Sequence, residues 1–289
     1  MDAEGRHPEP GRVELDARWN RVAWEAASQK HVREYDELLE EARNTTSLFP
    51  REEELLRPLM RTAPTVVHLQ SGHGLDDIGL VAAGAGVVVG VDFSRTAVAS
   101  ARRRAVDLGV PCHYVLGELP GAPLAAGCAD VVYTGKGALI WMPDLDTWAA
   151  DVARLLRPGG WLFLYESHPA VPLWTWDADE PRIRPDRGYF ERGFVNDTFP
   201  GHGAVEAQAT LGEVVTAVVR AGMEVRVLEE YAEPFWRAGG VDAAAWRGAL
   251  PNSFALLARK GRVGAEGLDA STSSSGVGPP PPPRSRDCL

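Results

Sequence analysis

Five short stretches hold the residue types that could do chemistry, and each directly follows a run of apolar residues. The first is Gln70-Ser71-Gly72-His73-Gly74-Leu75-Asp76. Its two glycines let the backbone turn sharply and approach a ligand without a Cβ in the way. They precede a helical pattern, whose first free amides favour an anion. A plain tight turn accounts for the same residues. The second is Asp92-Phe93-Ser94, with Asp92 lying 22 residues beyond Gln70. That is the spacing of an acid that binds ribose hydroxyls, and a carboxylate accepts two such bonds in a forked geometry. The other reading of Asp92 or Ser94 is a helix cap. The third, Gly117-Glu118-Leu119-Pro120, offers an amide and an acid to an adenine edge, or else a surface turn. The fourth is Thr134-Gly135-Lys136-Gly137, followed by Trp141-Met142-Pro143-Asp144. The fifth is Glu166-Ser167-His168-Pro169. His168 titrates near neutrality and can accept a proton from a nucleophile, with Glu166 second in line. A hydrogen-bonded structural histidine is the alternative.

The elements that position these groups follow from hydrophobic periodicity. Strands are expected at Thr65–Gln70, Val87–Asp92, Cys112–Leu116, Ala129–Thr134, Trp161–Glu166, Met223–Glu229 and Ser253–Arg259. Between them, Leu75/Ile78/Val81, Val98/Ala101/Ala105/Leu108, Leu145/Trp148/Val152/Leu155 and Leu211/Val214/Val215/Val218 keep helical spacing. The third of these helices is expected to stop at Arg157-Pro158-Gly159-Gly160. Apolar strands alternating with helices imply a parallel sheet covered on both faces. The fold class is therefore α/β, a doubly wound, mostly parallel, seven-stranded Rossmann-like sheet. In such a sheet the ligand lies beyond the carboxyl ends of the strands.

Ahead of the sheet, Glu14–Arg43 reads as helical, with Trp19, Val22, Ala23 and Ala26 on one stripe and Val32, Tyr35, Leu39 and Ala42 continuing it after a phase slip. Arg51–Met60 is a second helix. The organisation expected is an N-terminal helical cap (1–60), the sheet domain (61–260) with a lid-like insertion after strand 5 (167–209), and a disordered Pro/Ser-rich tail (261–289) carrying five consecutive prolines, Pro279–Pro283. The first dozen residues are expected to be loose. The insertion is rich in Pro, Gly, Trp, Arg and Asp, and long irregular stretches are often functional. Trp174 and Trp176, with Phe235 and Trp236, are candidates for an aromatic acceptor pocket. Arg182, Arg184 and Arg187 are candidates for a substrate carboxylate.

Composition excludes several classes. The 289 residues are 45% hydrophobic and 24% charged, ordinary for a globular chain and not for a disordered one. Lys plus Arg is 30 against 40 Asp plus Glu, a net charge of −10. Between Glu14 and Glu54 alone, 11 acids face 6 bases. Such a surface repels phosphate backbones and anionic lipid, so neither nucleic acid nor membrane is expected as a partner. Three cysteines without a Cys-x-x-Cys pair, and seven scattered histidines, give no disulfide framework and no metal cluster. A cytoplasmic location is expected from the polar, acidic N-terminus and the absence of a long apolar run.

The stretch Val66–Pro169 resembles class I S-adenosylmethionine-dependent methyltransferases. The series VVHLQSGHGLDDIGL, VVVGVDFSRTAVASAR and ADVVYTGKGALIWMPDLDTWAADVARLLRPGGWLFLYESHP is similar to that family strand by strand. It is most similar to the actinobacterial small-molecule subgroup whose glycine loop reads His-Leu-Gln-x-x-x-Gly-Leu-Asp. Asn20-x-x-x-Trp24, His31 and Leu211-Gly212-Glu213-Val214-Val215 add to the likeness, which spans about residues 18–260. The resemblance implies S-adenosyl-L-methionine as cofactor and a small, aromatic or apolar molecule as methyl acceptor through O, N or C, in secondary metabolism. It implies that the backbone of Gln70, Ser71, Gly72 and on to Gly74 cradles the methionine portion, and that Asp92 holds the ribose. Phe93 flanks adenine, and Gly117, Glu118 and Leu119 surround its edge. Thr134 and Gly135 lie beside the sulfonium, and His31 and Tyr35 cap the site. One departure stands out. The commoner loop has Asp or Glu at His68 and Gly at Gln70, and the Cβ of Gln70 asks for an ordinary backbone angle. The loop therefore need not follow the commonest geometry, and the side-chain contact usually made by the missing acid is not carried over. Two other readings remain open: a nicotinamide-dependent oxidoreductase, against which Asp77 stands at the third glycine of Gly-x-Gly-x-x-Gly, and a non-catalytic cofactor-binding module. Oligomeric state is open.

Overall fold

The computed structural model describes residues 17–175, 182–201 and 203–261. The Pro/Ser-rich tail beyond residue 261, the first dozen residues, Trp176 and the side chain of Trp19 lie outside what it describes.

Valine-rich runs become strands because a parallel sheet buries both faces of each strand and favours β-branched side chains there. β1 (Thr65–Leu69), β2 (Val87–Asp92), β3 (Cys112–Leu116), β4 (Ala129–Gly135) and β5 (Leu156–Ser167) run parallel. Two short strands, β6 (Gly193–Val195) and β7 (Val205–Ala207), form a separate hairpin within the insertion. β8 (Met223–Tyr231) and β9 (Ser253–Lys260) complete the main sheet, in which β9 is antiparallel to both its neighbours. The order is β3-β2-β1-β4-β5-β9-β8. It reverses between β1 and β4, the switch point where a doubly wound sheet opens a crevice at its carboxyl edge.

Alternation along each strand divides the core. Val67, Leu69, Val89, Val91, Val132, Leu162 and Leu164 face α7 (Leu145–Leu155) and α8 (Leu211–Arg220), with Trp148 and Val152 packed on them. Val66, Val88, Val131, Tyr133 and Phe163 face the other way. There they meet α4 (Pro50–Met60), α5 (Leu75–Ala82) and α6 (Arg95–Leu108) through Leu56, Leu80 and Val98. Each such fully buried side chain contributes about 1.5–3 kcal/mol.

Two boundaries differ from expectation. The single N-terminal helix is three: α1 (Ala17–Ala27), α2 (Gln29–Arg33) and α3 (Tyr35–Asn44). Ser28 Oγ donates back to Trp24 O at 2.8 Å, a bond that bends helices, and Glu34 (φ −95°, ψ 17°) leaves helical geometry. The phase slip in the sequence is this double break, and it leaves Val22 and Val32 exposed. The helix before β5 ends at Leu155 instead of running into Arg157-Pro158-Gly159-Gly160. Leu156 already pairs with Ala129, and the register resumes at Trp161 opposite Val131 once the Pro-Gly-Gly turn has passed.

Candidate functional site

The loop after β1 is held by tertiary bonds. Gln70 has φ +59°, which overturns the expectation of an ordinary angle there. A left-handed non-glycine residue costs about 1–2 kcal/mol. The side chain offsets that by donating from Nε2 to Ala138 O at 2.9 Å, tying the loop to the segment after β4. The loop thus takes the glycine-like turn with a glutamine in it. Gly74, at φ +80°, precedes α5, and a Cβ there would run into the Tyr114 ring. It is required for packing and does not face the cavity. His68 is buried with Nδ1 2.6 Å from Asp77 Oδ1. Burial opposes its protonation, but the Asp77 carboxylate outweighs burial and raises its pKa.

Asp92 is buried at the end of β2. Its Oδ2 accepts the Gly72 N–H at 2.9 Å and its Oδ1 the Ser94 N–H at 2.8 Å. Burial pushes its pKa up against the pull of those two amides. Ser94 is itself the N-cap of α6, accepting the Ala97 N–H. The cap alternative is therefore correct for Ser94, while Asp92 ties loop to loop and keeps its carboxylate on the cavity wall.

That cavity measures about 410 Å³ and lies over the carboxyl ends of β1 to β4. The structure brings together there His31, Gln70, Ser71, Gly72, Asp92, Phe93, Gly117, Glu118, Leu119 and Gly135. Glu118 pairs with Arg21 of α1 across the opening. A Cβ on Gly135 would overlap the Tyr165 carbonyl, so β4 and β5 close up only with glycine there. Gly72 (φ +54°) has open space where a Cβ would project, which leaves a cradle bounded by Asp92 and Ser71.

Five of the expected site residues lie elsewhere. Thr134 is fully buried in β4 and, like Gly74, does not line the cavity. Tyr35 turns away toward α6, its hydroxyl donating to Asp107 at 2.9 Å and its ring under Arg103. Glu166 accepts the N–H groups of Gly137 (2.6 Å), Ala138 (2.7 Å), Leu139 (2.9 Å) and Ser167 (2.7 Å), so it braces the segment after β4. His168 lies between Glu230, 2.9 Å from Nε2, and the Ala170 N–H, which donates to Nδ1 at 3.1 Å. Both ring nitrogens are used and neither residue lines the cavity, which corrects the assignment of His168 and Glu166 as bases. Burial lowers the His168 pKa, partly opposed by Glu230. Replacing His168 with Gln is expected to leave the shape of a pH–rate profile unchanged while lowering thermal stability. A profile that loses its acidic limb in this variant would restore His168 as a base.

The aromatic wall is not where the sequence pointed. Trp174 packs on Trp246, and Phe235 on Trp236 and Tyr165; none of these lines the cavity. Arg184 and Arg187 pair with Asp186 and Asp197 within the insertion. The wall is built from Trp24 of α1, Trp141 after β4 and Phe199 of the insertion. The Trp24 ring meets both others edge-on at 5.4 Å. The sequence signal was the Asn20/Trp24 spacing, which places both side chains on one helix face. Asn20 reaches the insertion: its carboxamide donates to Val205 O at 2.8 Å and accepts the Val205 N–H at 2.7 Å. On the other side of α1, Glu25 accepts from Ser94 Oγ and from the hydroxyl and amide of Thr96. His73, stacked on His31 at 3.7 Å, and the Lys136–Asp76 pair also line the cavity; they stand in the stretches quoted from the sequence but were given no role there. Among the described residues no group of three or more His, Cys, Asp or Glu side chains is arranged for a metal ion, and no helix is long and apolar enough to cross a membrane.

A sheet of this order, with a glycine turn after β1 and a cavity-facing acid after β2, has the fold of class I S-adenosylmethionine-dependent methyltransferases. Residues 66–160 match the methyltransferase domain family. A curated relative, nocamycin O-methyltransferase of Saccharothrix syringae, is 32% identical over 143 residues, 45% of this chain and 50% of that protein. The chain thus spans half the length of the curated relative it matches. Among solved structures, an S-adenosylmethionine-dependent methyltransferase from Mesorhizobium loti aligns with a TM-score of 0.58 at 22% identity, over 72% of this chain and 96% of that one. Geranyl diphosphate C-methyltransferase from Streptomyces coelicolor A3(2), solved with S-adenosyl-L-homocysteine, aligns with a TM-score of 0.51 at 14% identity, over 73% and 80%.

Proposed function

We propose that this protein transfers a methyl group from S-adenosyl-L-methionine to a small aromatic or apolar molecule. The observation that carries the reading is the sign of the charge at the loop. The Gly72 amide is occupied by the Asp92 carboxylate, and Asp76 and Asp77 fill the first turn of α5. A dinucleotide pyrophosphate needs that helix end for itself and is repelled by acids placed there. An adenosyl sulfonium is a cation and gains from Asp76 and Asp92, the two of these acids that line the cavity.

The residues fit the cofactor in strand order. Gly117, Glu118 and Leu119 beside Phe93 suit adenine, Asp92 the ribose diol, and the Gln70–His73 backbone the methionine portion, with Gly135 next to the sulfur. When bound, the cofactor supplies an already activated methyl group. The protein then has to position the acceptor and exclude water. Trp24, Trp141 and Phe199 supply flat apolar walls for an acceptor of matching shape. The described helices of the cap (17–60) and the described part of the insertion, which bring Trp24 and Phe199 to the cavity, act as the lid over the sheet domain. The half-length likeness to an O-methyltransferase of nocamycin favours an oxygen acceptor in secondary metabolism. Three imidazoles line the wall: His68, held by Asp77, and the stacked pair His31 and His73. Burial lowers the pKa values of His31 and His73, that of His73 to about 3, so these two are neutral at pH 7.

Calorimetry with S-adenosylhomocysteine and with NAD, followed by transfer of an isotopically labelled methyl group to a panel of phenols and carboxylic acids, tests the proposal. Micromolar binding of the adenosyl ligand and none of NAD is expected. The opposite order of affinities overturns it.

A further inference from the structure

Asp76 is the cavity acid that the ribose and adenine assignments leave unused. It sits in the first turn of α5, half-buried, on the wall beside the Gln70–His73 loop. Lys136 Nζ donates to Asp76 Oδ1 (2.8 Å) and Ser47 O (2.8 Å) and lies 3.1 Å from Glu52 Oε2. An ammonium has three N–H groups, so these partners fill it, and Lys136 has no donor left for a ligand. Glu52, fully buried, also takes the Tyr133 hydroxyl at 2.7 Å and the Phe49 N–H at 2.8 Å. Three donors converging on one carboxylate are the surroundings of an anion, although burial pushes its pKa up. Two carboxylates therefore share one ammonium, and the surplus negative charge falls on the one that faces the cavity. Burial by itself would raise the Asp76 pKa, but Lys136, and after it His68, bring it below the usual range. His68 is itself consumed by Asp77 and offers no negative charge.

We infer that Asp76, braced by Lys136 and Glu52, receives the α-ammonium group of the cofactor's amino-acid end. The inference rests on the S-adenosylmethionine reading above. It makes Asp76 a binding residue that distinguishes amino-acid-bearing adenosyl ligands from those without an ammonium.

The test is calorimetry on the full chain with three probes: S-adenosylhomocysteine, its analogue lacking the amino group, and 5′-methylthioadenosine, which lacks the whole amino-acid end. Wild type is expected to bind S-adenosylhomocysteine about tenfold or more tightly than the desamino analogue, the size of one hydrogen-bonded charge. Asp76→Asn is expected to erase that preference and to leave 5′-methylthioadenosine unchanged. Equal wild-type affinity for the first two probes overturns the inference, and this comparison needs no folded variant. So does an equal loss for all three probes in Asp76→Asn, which would mark a structural role. If none of the three binds wild type, the adenosyl reading itself fails.

Discussion

Asp92→Ala is expected to weaken S-adenosylhomocysteine binding by about 100-fold or more, through the loss of two charge-assisted hydrogen bonds at about 1.5–3 kcal/mol each. The same change frees the Gly72 and Ser94 amides that the carboxylate holds at 2.9 and 2.8 Å. The glycine turn then loses its tie to β2, so part of the loss arises from loop disorder. Asp92→Asn separates the two parts. Its amide oxygen still accepts one backbone N–H, whereas its NH₂ opposes the other, and an intermediate affinity is expected. Titration calorimetry of the three proteins checks the order. Unchanged affinity in Asp92→Ala would remove the ribose assignment, and the electrostatic case for an adenosyl ligand would lose its centre.

The second large effect is on stability. Glu166→Ala is expected to destabilise the fold by about 4 kcal/mol, because buried N–H groups left without acceptors cost about 1–3 kcal/mol each. For a domain of this size that lowers the melting temperature by about 10 °C. Three of the freed amides, Gly137, Ala138 and Leu139, belong to the segment that lines the cavity and receives the Gln70 side chain. Glu166→Gln is not expected to rescue it, since a carboxamide NH₂ would point at N–H donors. Differential scanning calorimetry reads the shift directly. A variant of unchanged melting temperature that has lost all turnover would instead return Glu166 to the chemistry.

These two acids show what a sequence reveals and what it hides. The place of Asp92 on the cavity wall was legible because topology sets it: a strand end, a fixed distance beyond a glycine turn, beside the switch point. The seven strands were legible because burial of both sheet faces writes long apolar runs. Glu166 and His168 also stand at a strand end, yet position along a strand does not say which neighbour a side chain will find. Four backbone amides claim one, and Glu230 with a backbone amide claims the other. Gln70 was misjudged because its backbone angle is set by a bond to Ala138, 68 residues away. The aromatic wall was hidden for the same reason. Trp24, Trp141 and Phe199 come from a helix, a turn and the insertion, and only the folded chain makes them neighbours.

The ceiling over the crevice joins segments 185 residues apart through one carboxamide, which stands in for a peptide group and completes the edge of the small hairpin at Val205. Its other ties include ring edges, the Arg21–Glu118 pair and a carboxylate at the start of α6, with less of the apolar burial that locks the sheet. Such a cover parts from the sheet far more readily than the sheet unfolds. Amide exchange at residues 20–27 and 203–207 should therefore run ahead of exchange in β1 and β4. On the function proposed above, a ligand would enter and leave the crevice where Asn20 lets go of Val205.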